Sequence, residues 1–190
     1  MNSDPDKSLR VLFVVQEFPA LSERFILDQA LGLLASGCDV EVFSFFGPRL
    51  RDGQVHGDFL ASGLVGRTNS PRVPGSGYFS KRFWSLTAGL AMMLQKPALA
   101  WRLFRCVGWS RPEWTCLYFL FDGWLKGRQP YDVIHCQFGT LGVIGQLAKR
   151  SGRHGGVLTV SFRGYDISRE VRKRGPGLYE RLFGDVDMCF

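Results

Sequence analysis

The feature that most constrains the fold is an apolar pentapeptide near the start of the chain, Val11-Leu12-Phe13-Val14-Val15. It is short and β-branched, and unbroken apolarity without alternation marks a strand covered on both faces. Ile26, Ala30, Leu33 and Leu34 then recur at helical spacing up to Gly37, and residues 39–46 return to strand with Val40, Val42, Phe43 and Phe45. Ser22 is the expected cap of that helix, and Glu23 suits its positive N-terminus. Strand, helix and strand make a βαβ unit, whose right-handed crossover leaves the strands as parallel neighbours.

The alternation resumes late in the chain. Residues 131–138 and 157–162 read as strands, 141–149 as a helix ended by Gly152, 178–183 as a short helix and 186–190 as the opening of another strand. Between the halves, 47–77 is rich in Gly, Pro, Ser and Arg without a sustained period and reads as a long excursion. Three apolar stripes follow: Phe83, Leu86, Leu90, Met93 and Leu94; then Leu99, Leu103 and Val107; then Trp114 to Leu125. They predict a helical insert at about 78–126. The expected architecture is α/β, one Rossmann-like parallel sheet with helices on both faces and that insert, over 10–190, after a flexible terminus at 1–9. With 190 residues a single domain accounts for the chain. A stop on the apolar run Val186 to Phe190 suggests that a further C-terminal domain is absent.

Composition narrows the function classes. No apolar stretch approaches the ~20 residues a membrane helix needs, and no apolar leader follows Met1, so a cytoplasmic chain is expected. Five scattered cysteines without a CxxC pair read as reduced thiols, not as a disulfide framework or zinc site. The net charge of +7 is localised: residues 67–126 carry nine basic side chains against Glu113 and Asp122. Lys81, Arg82, Arg102 and Arg105 there alternate with aromatics including Phe83, Trp84, Trp101 and Trp124, which predicts an anionic membrane surface as partner. Nucleic acid is not expected, because no recognisable binding motif accompanies the charge.

Candidate chemistry gathers at strand ends, where an open parallel sheet binds its ligands. The first strand turns polar at Gln16-Glu17 before Ser22-Glu23. Residues 133–139 read VIHCQFG, with His135 and Gln137 on one face by alternation, and residues 161–166 read SFRGYD, with Ser161 and Arg163 in the same relation. No GxGxxG or Walker sequence is present, which counts against a conventional nucleotide-binding loop.

The runs FPALSERFILDQ, DVIHCQFGTLG and VSFRGYDIS followed by LYERLFGDVD resemble the N-terminal half of retaining glycosyltransferases of the GT-B fold, glycosyltransferase family four, of the exopolysaccharide and colanic-acid type. The resemblance implies an acceptor-binding domain that works with a donor-binding domain on a missing segment or a separate chain. Together they move a sugar from a nucleotide sugar to a lipid-linked glycan or polysaccharide acceptor, with no metal and no other cofactor. His135 matches the catalytic histidine of the family's strand-end motif, and Gln137 replaces its second histidine. Glu17, Ser22, Glu23, Gln137, Gly139, Arg163, Gly164 and Asp166 fall at substrate-binding positions. Arg163 stands where many members have histidine; its guanidinium can hold a phosphate but keeps its proton and cannot act as a base. The family's paired glutamates at E-x7-E spacing are not in this chain. Asp185-Val186-Asp187 has the form of a DxD metal motif, but it heads an apolar strand and reads as a strand start. The rival expectations are a non-catalytic membrane-associating module, an inactive truncated transferase, and a doubly wound nucleotide-binding protein of another kind.

Overall fold

The computed structural model describes residues 8–47, 57–71, 94, 97 and 112–190. Most of the expected insert, including Lys81, Arg82, Arg102 and Arg105, lies outside the described residues.

The strands are β1 (Arg10–Glu17), β2 (Asp39–Phe46), β3 (Thr68–Asn69), β4 (Val133–Gln137), β5 (Val157–Ser161) and β6 (Met188–Cys189). They form one sheet in the order β3-β2-β1-β4-β5-β6, and every pairing is parallel. The helices are α1 (Arg24–Ala35), α2 (Gly57–Ala61), α3 (Leu64–Arg67), α4 (Pro112–Leu125), α5 (Gly139–Arg150), α6 (Val171–Arg174) and α7 (Glu180–Phe183). A single 3-10 turn at Leu21–Glu23 precedes α1, a π turn at Asp166–Glu170 leads into α6, and a 3-10 turn at Pro176–Tyr179 leads into α7. This is the expected Rossmann-like α/β architecture with helices on both faces.

Register sorts the side chains by face. Phe13 lies beside His135, which lies beside Thr159; one residue on, Val14, Cys136 and Val160 line up on the opposite face. The first face packs Val11, Phe13, Val15, Val40 and Val42 against Ile26, Leu27 and Ala30 of α1, with Phe59 and Leu64 closing the β2 end. The second packs Leu12, Val14, Phe43, Ile134 and Leu158 against α4 and α5. Each large apolar side chain withdrawn from water in these layers contributes roughly 1.5–3 kcal/mol.

Tyr118, Phe121 and Trp124 of α4 pack inward. Tyr118 and Phe121 are fully buried, and Trp124 sits 4.8 Å from Phe43, centroid to centroid. The expectation that Trp124 belongs to a membrane-facing aromatic set is therefore corrected: a second aromatic layer, Phe43 and Phe45 of β2, takes it into the core. Helix α5 approaches the sheet closely because Gly139, Gly142 and Gly145 recur every third residue along it, where a Cβ would run into Phe162, Val160 and Cys136. Helices α1 and α5 end alike, at Gly37 (φ 83°) and Gly152 (φ 75°). In each the next amide bonds back five residues, Cys38 N–H to Leu33 O and Arg153 N–H to Ala148 O, both at 3.0 Å.

The described part of the long excursion holds α2, α3 and β3, which the composition did not suggest. Two buried side chains, Phe59 and Leu64, supply the reason: they cap the apolar face beside β2.

Candidate functional site

The chain leaves β1 toward β2 and β3 and leaves β4 toward β5 and β6, so the strand order reverses between β1 and β4. Loops leaving the carboxyl ends of these two neighbours diverge and open a crevice there. The β1 loop carries Glu17, Ser22 and Glu23; the β4 and β5 ends carry Gln137, Phe138 and Arg163.

The β1 loop departs from expectation in one respect. Ser22 does not cap α1; it lies exposed within the 3-10 turn, whose Glu23 N–H donates to Ala20 O at 3.1 Å. Glu23 occupies the cap position, with no side-chain capping bond. The tight turn consumes the residue that would have been one position before the helix. The Glu23 carboxyl is half buried, and one oxygen, Oε2, lies out of water with no hydrogen-bond partner among the described residues. Burial raises its pKa, the Glu17 charge raises it further, and Arg163 opposes both. Glu17, Glu23 and Arg163 thus share one electrostatic neighbourhood although they come from opposite ends of the sequence.

Arg163 follows β5, and its guanidinium carbon lies 4.2 Å from the centroid of the Phe25 ring on α1. Its Nε is buried and unpartnered among the described residues. A guanidinium held by a ring face and, among the described residues, not paired with a carboxylate is suited to an incoming anion.

Beneath it lies a polar floor. His135 is buried: its Nδ1 is 2.6 Å from Thr159 Oγ1, and its Nε2 is 3.1 Å from Ser161 Oγ. Phe13 and Phe190 press edgewise on the ring, with centroids at 5.2 and 5.9 Å. Burial, helped by the Arg163 charge, lowers its pKa to about 4, so the imidazole is neutral at physiological pH. Both ring nitrogens are engaged within the sheet. The ring bridges the Thr159 and Ser161 hydroxyls and so ties β4 to β5. Gln137 is fully buried and donates from Nε2 to Gln29 Oε1 at 2.6 Å, while its own Oε1 has no partner among the described residues.

Phe138 joins the floor to α5 with φ 78° and ψ 137°, a backbone conformation that costs a bulky residue about 1–3 kcal/mol. Its N–H donates to Ser161 O at 2.9 Å, and its ring packs on both apolar layers, which together hold the strained turn. Gly139 is required by packing, since a Cβ would stand 2.8 Å from Phe162 Cδ1 and 2.9 Å from Tyr179 Cζ. Asp166 is fully buried. Its carboxylate accepts the Arg163 N–H at 3.1 Å and is also stabilised by the Gly139 N–H at the start of α5. Burial nonetheless raises its pKa, and the two amides only moderate the rise. Gly139 and Asp166 thus tie the β4 and β5 turns together, and Gly164 stands exposed with open space around its Cα.

Phe25, Gln29, Phe138 and Thr159 belong to the site without having been singled out in the sequence. Phe25 and Gln29 are one turn apart on α1, and Thr159 has the same strand parity as Ser161; only those weak spacings could have flagged them. The DxD segment is a staple: Asp185 accepts from Arg150 Nε at 2.6 Å and also binds Gln146, while Asp187 pairs with Lys149 and accepts the Leu158 N–H at 2.7 Å. Among the described residues no group of three or more His, Cys, Asp or Glu side chains is placed to hold a metal ion, and no helix is long and apolar enough to cross a membrane.

Fold and crevice define the class: a Rossmann-like α/β domain whose switch point brings together the Arg163 guanidinium and the half-buried Glu23 carboxyl. Compared with protein-family models, curated proteins and solved structures, the chain matches none.

Proposed function

We propose that this chain is the acceptor-binding half of a retaining GT-B glycosyltransferase of the exopolysaccharide or lipopolysaccharide biosynthesis type. A donor-binding domain, on a further segment or a separate chain, would form the other wall of the crevice. In the transfer, the bond between the sugar C1 and the nucleoside diphosphate breaks, the acceptor hydroxyl oxygen bonds to C1, and the diphosphate departs with the bonding pair and takes up the hydroxyl proton. On this reading Arg163 binds an anionic group of substrate, Glu23 offers a hydrogen bond to a sugar hydroxyl, and His135 and Gln137 hold the floor beneath them. The protein would work at the cytoplasmic face of a membrane, on a lipid-linked acceptor.

One observation carries the proposal. The three segments that bear the resemblance, the first more than a hundred residues ahead of the other two, supply Glu17 and Glu23, then His135 and Gln137, then Arg163 to a single crevice. The test is calorimetric titration of the purified chain with a micellar polyprenyl-diphosphate sugar and, separately, with free nucleotide sugars. Acceptor binding that Arg163→Ala weakens at least about tenfold, with no sugar transfer by the chain alone, is expected; losing a charge-assisted contact of this kind costs roughly 1.5–3 kcal/mol. Robust transfer by the isolated chain, or no acceptor binding at all, refutes it.

A further inference from the structure

The helical segment at 164–174 presents a surface that the crevice does not use. It runs through the π turn Asp166–Glu170 into α6, and its two acids, four residues apart, share the inward side. Asp166 is fully buried and Glu170 is 4% exposed. Glu170 is further committed to Arg174 at 2.5 Å and to the Tyr165 hydroxyl, which donates at 2.9 Å. The outward side carries Arg169, Arg172 and Lys173, all exposed and without an ion-pair partner among the described residues. Between them stand two large side chains that nothing described covers, Tyr165 at 50% and Ile167 at 60% exposure. The Arg169 guanidinium reaches back toward the Tyr165 ring, 5.7 Å from its centroid.

We propose that this helix docks on an anionic lipid surface, its three cations meeting the headgroups and Ile167 and Tyr165 entering the boundary beneath them. Charge complementarity selects the partner: the acids are turned inward, so the whole solvent-facing charge of the helix is positive. The exposed isoleucine selects lipid over nucleic acid, since an aliphatic side chain gains little from a phosphate backbone and gains by burial at an acyl interface. The helix follows directly on Arg163, so docking places the crevice mouth beside the membrane. The inference deepens the membrane part of the proposed function but requires neither sugar transfer nor the insert at 78–126, and its test is arranged accordingly.

The full chain is floated with vesicles of neutral phosphatidylcholine, with or without about one third phosphatidylglycerol, at low and high salt. Each cation near an anionic leaflet is worth about fivefold in partitioning, so R169Q/R172Q/K173Q is expected to lose on the order of a hundredfold at low salt. Ile167→Ser loses several-fold, and both variants keep the wild-type circular dichroism because the altered side chains are exposed. Hydrogen exchange over 164–174 slows on anionic vesicles only. A loss under about threefold in the triple variant overturns the inference. So does equal binding to neutral vesicles, or tighter binding to nucleic acid than to anionic vesicles. If K81Q/R82Q/R102Q/R105Q abolishes flotation while the triple variant floats normally, this surface is refuted and the membrane location in the proposed function stands.

Discussion

Titration of His135 couples the stability of the fold to pH. Its ring is neutral in the fold because burial, with help from Arg163, lowers its pKa to about 4, whereas an unfolded chain returns it to about 6.5. The unfolded chain therefore binds more protons between these values, and stability must fall as pH falls. The contribution is fully present above about pH 6.5 and is lost progressively down to about pH 4. At roughly 1.4 kcal/mol per pH unit, this loss approaches about 3 kcal/mol. His154, also lowered by burial, acts in the same direction. Glu23 and Asp166 act in the opposite one: their raised pKa favours the protonated fold, a contribution present at low pH and lost as pH rises. These groups remain in His135→Gln, whose amide can still bond Thr159 and Ser161 but does not titrate. Urea unfolding of both proteins at intervals from pH 7 to pH 4 isolates the histidine. The wild-type advantage is expected to shrink by about 2–3 kcal/mol across that range. Parallel curves, within about 0.5 kcal/mol, would mean that the ring is neither buried nor neutral as described.

Three further outcomes follow from the packing. Gly139→Ala should cost about 1–3 kcal/mol by driving a methyl into Phe162 and Tyr179, seen as a lower Tm, whereas Gly164→Ala, with open space, should stay within about 0.5 kcal/mol; equal effects would show that Gly139 is not pinned by its neighbours. Gly156→Ala should be worse than Gly139→Ala, because its Cβ meets the backbone oxygens of Tyr131 and Asp132, and Asp132 O already receives the Val157 N–H at 2.8 Å; a milder melt would contradict this. In iodoacetamide mapping Cys189, exposed on β6, should label in the native protein, while Cys136, whose thiol burial pushes up to about 12, should label only after denaturation.

What was legible in the chain was whatever local periodicity dictates. Strand β1, helix α1 and strand β2 fall within a residue or two of their expected bounds, because an unbroken apolar run and a 3.6-residue stripe each have one good way to be buried. The αL glycines at 37 and 152 were equally readable, since few other residues tolerate that backbone. The parity that puts His135 and Gln137 on one face is geometry that any strand imposes. Where two local solutions competed, the sequence was ambiguous: Ser22 had the chemistry of a cap, and a 3-10 turn took its place. The π turn and α6 escaped notice because their buried face is made of Asp166 and Glu170, which an apolar template does not register.

Only the tertiary structure decided what the polar residues do. Strand order set β5 beside β4, and that neighbour gave His135 a hydroxyl partner on each ring nitrogen. Gln137 found Gln29, and Arg163 found Phe25, across more than a hundred residues of chain. No periodicity encodes such meetings. Apolar burial is satisfied by any apolar neighbour and so can be read locally. A hydrogen bond or a stacked guanidinium needs one particular partner at one distance, and the complete sheet supplies it.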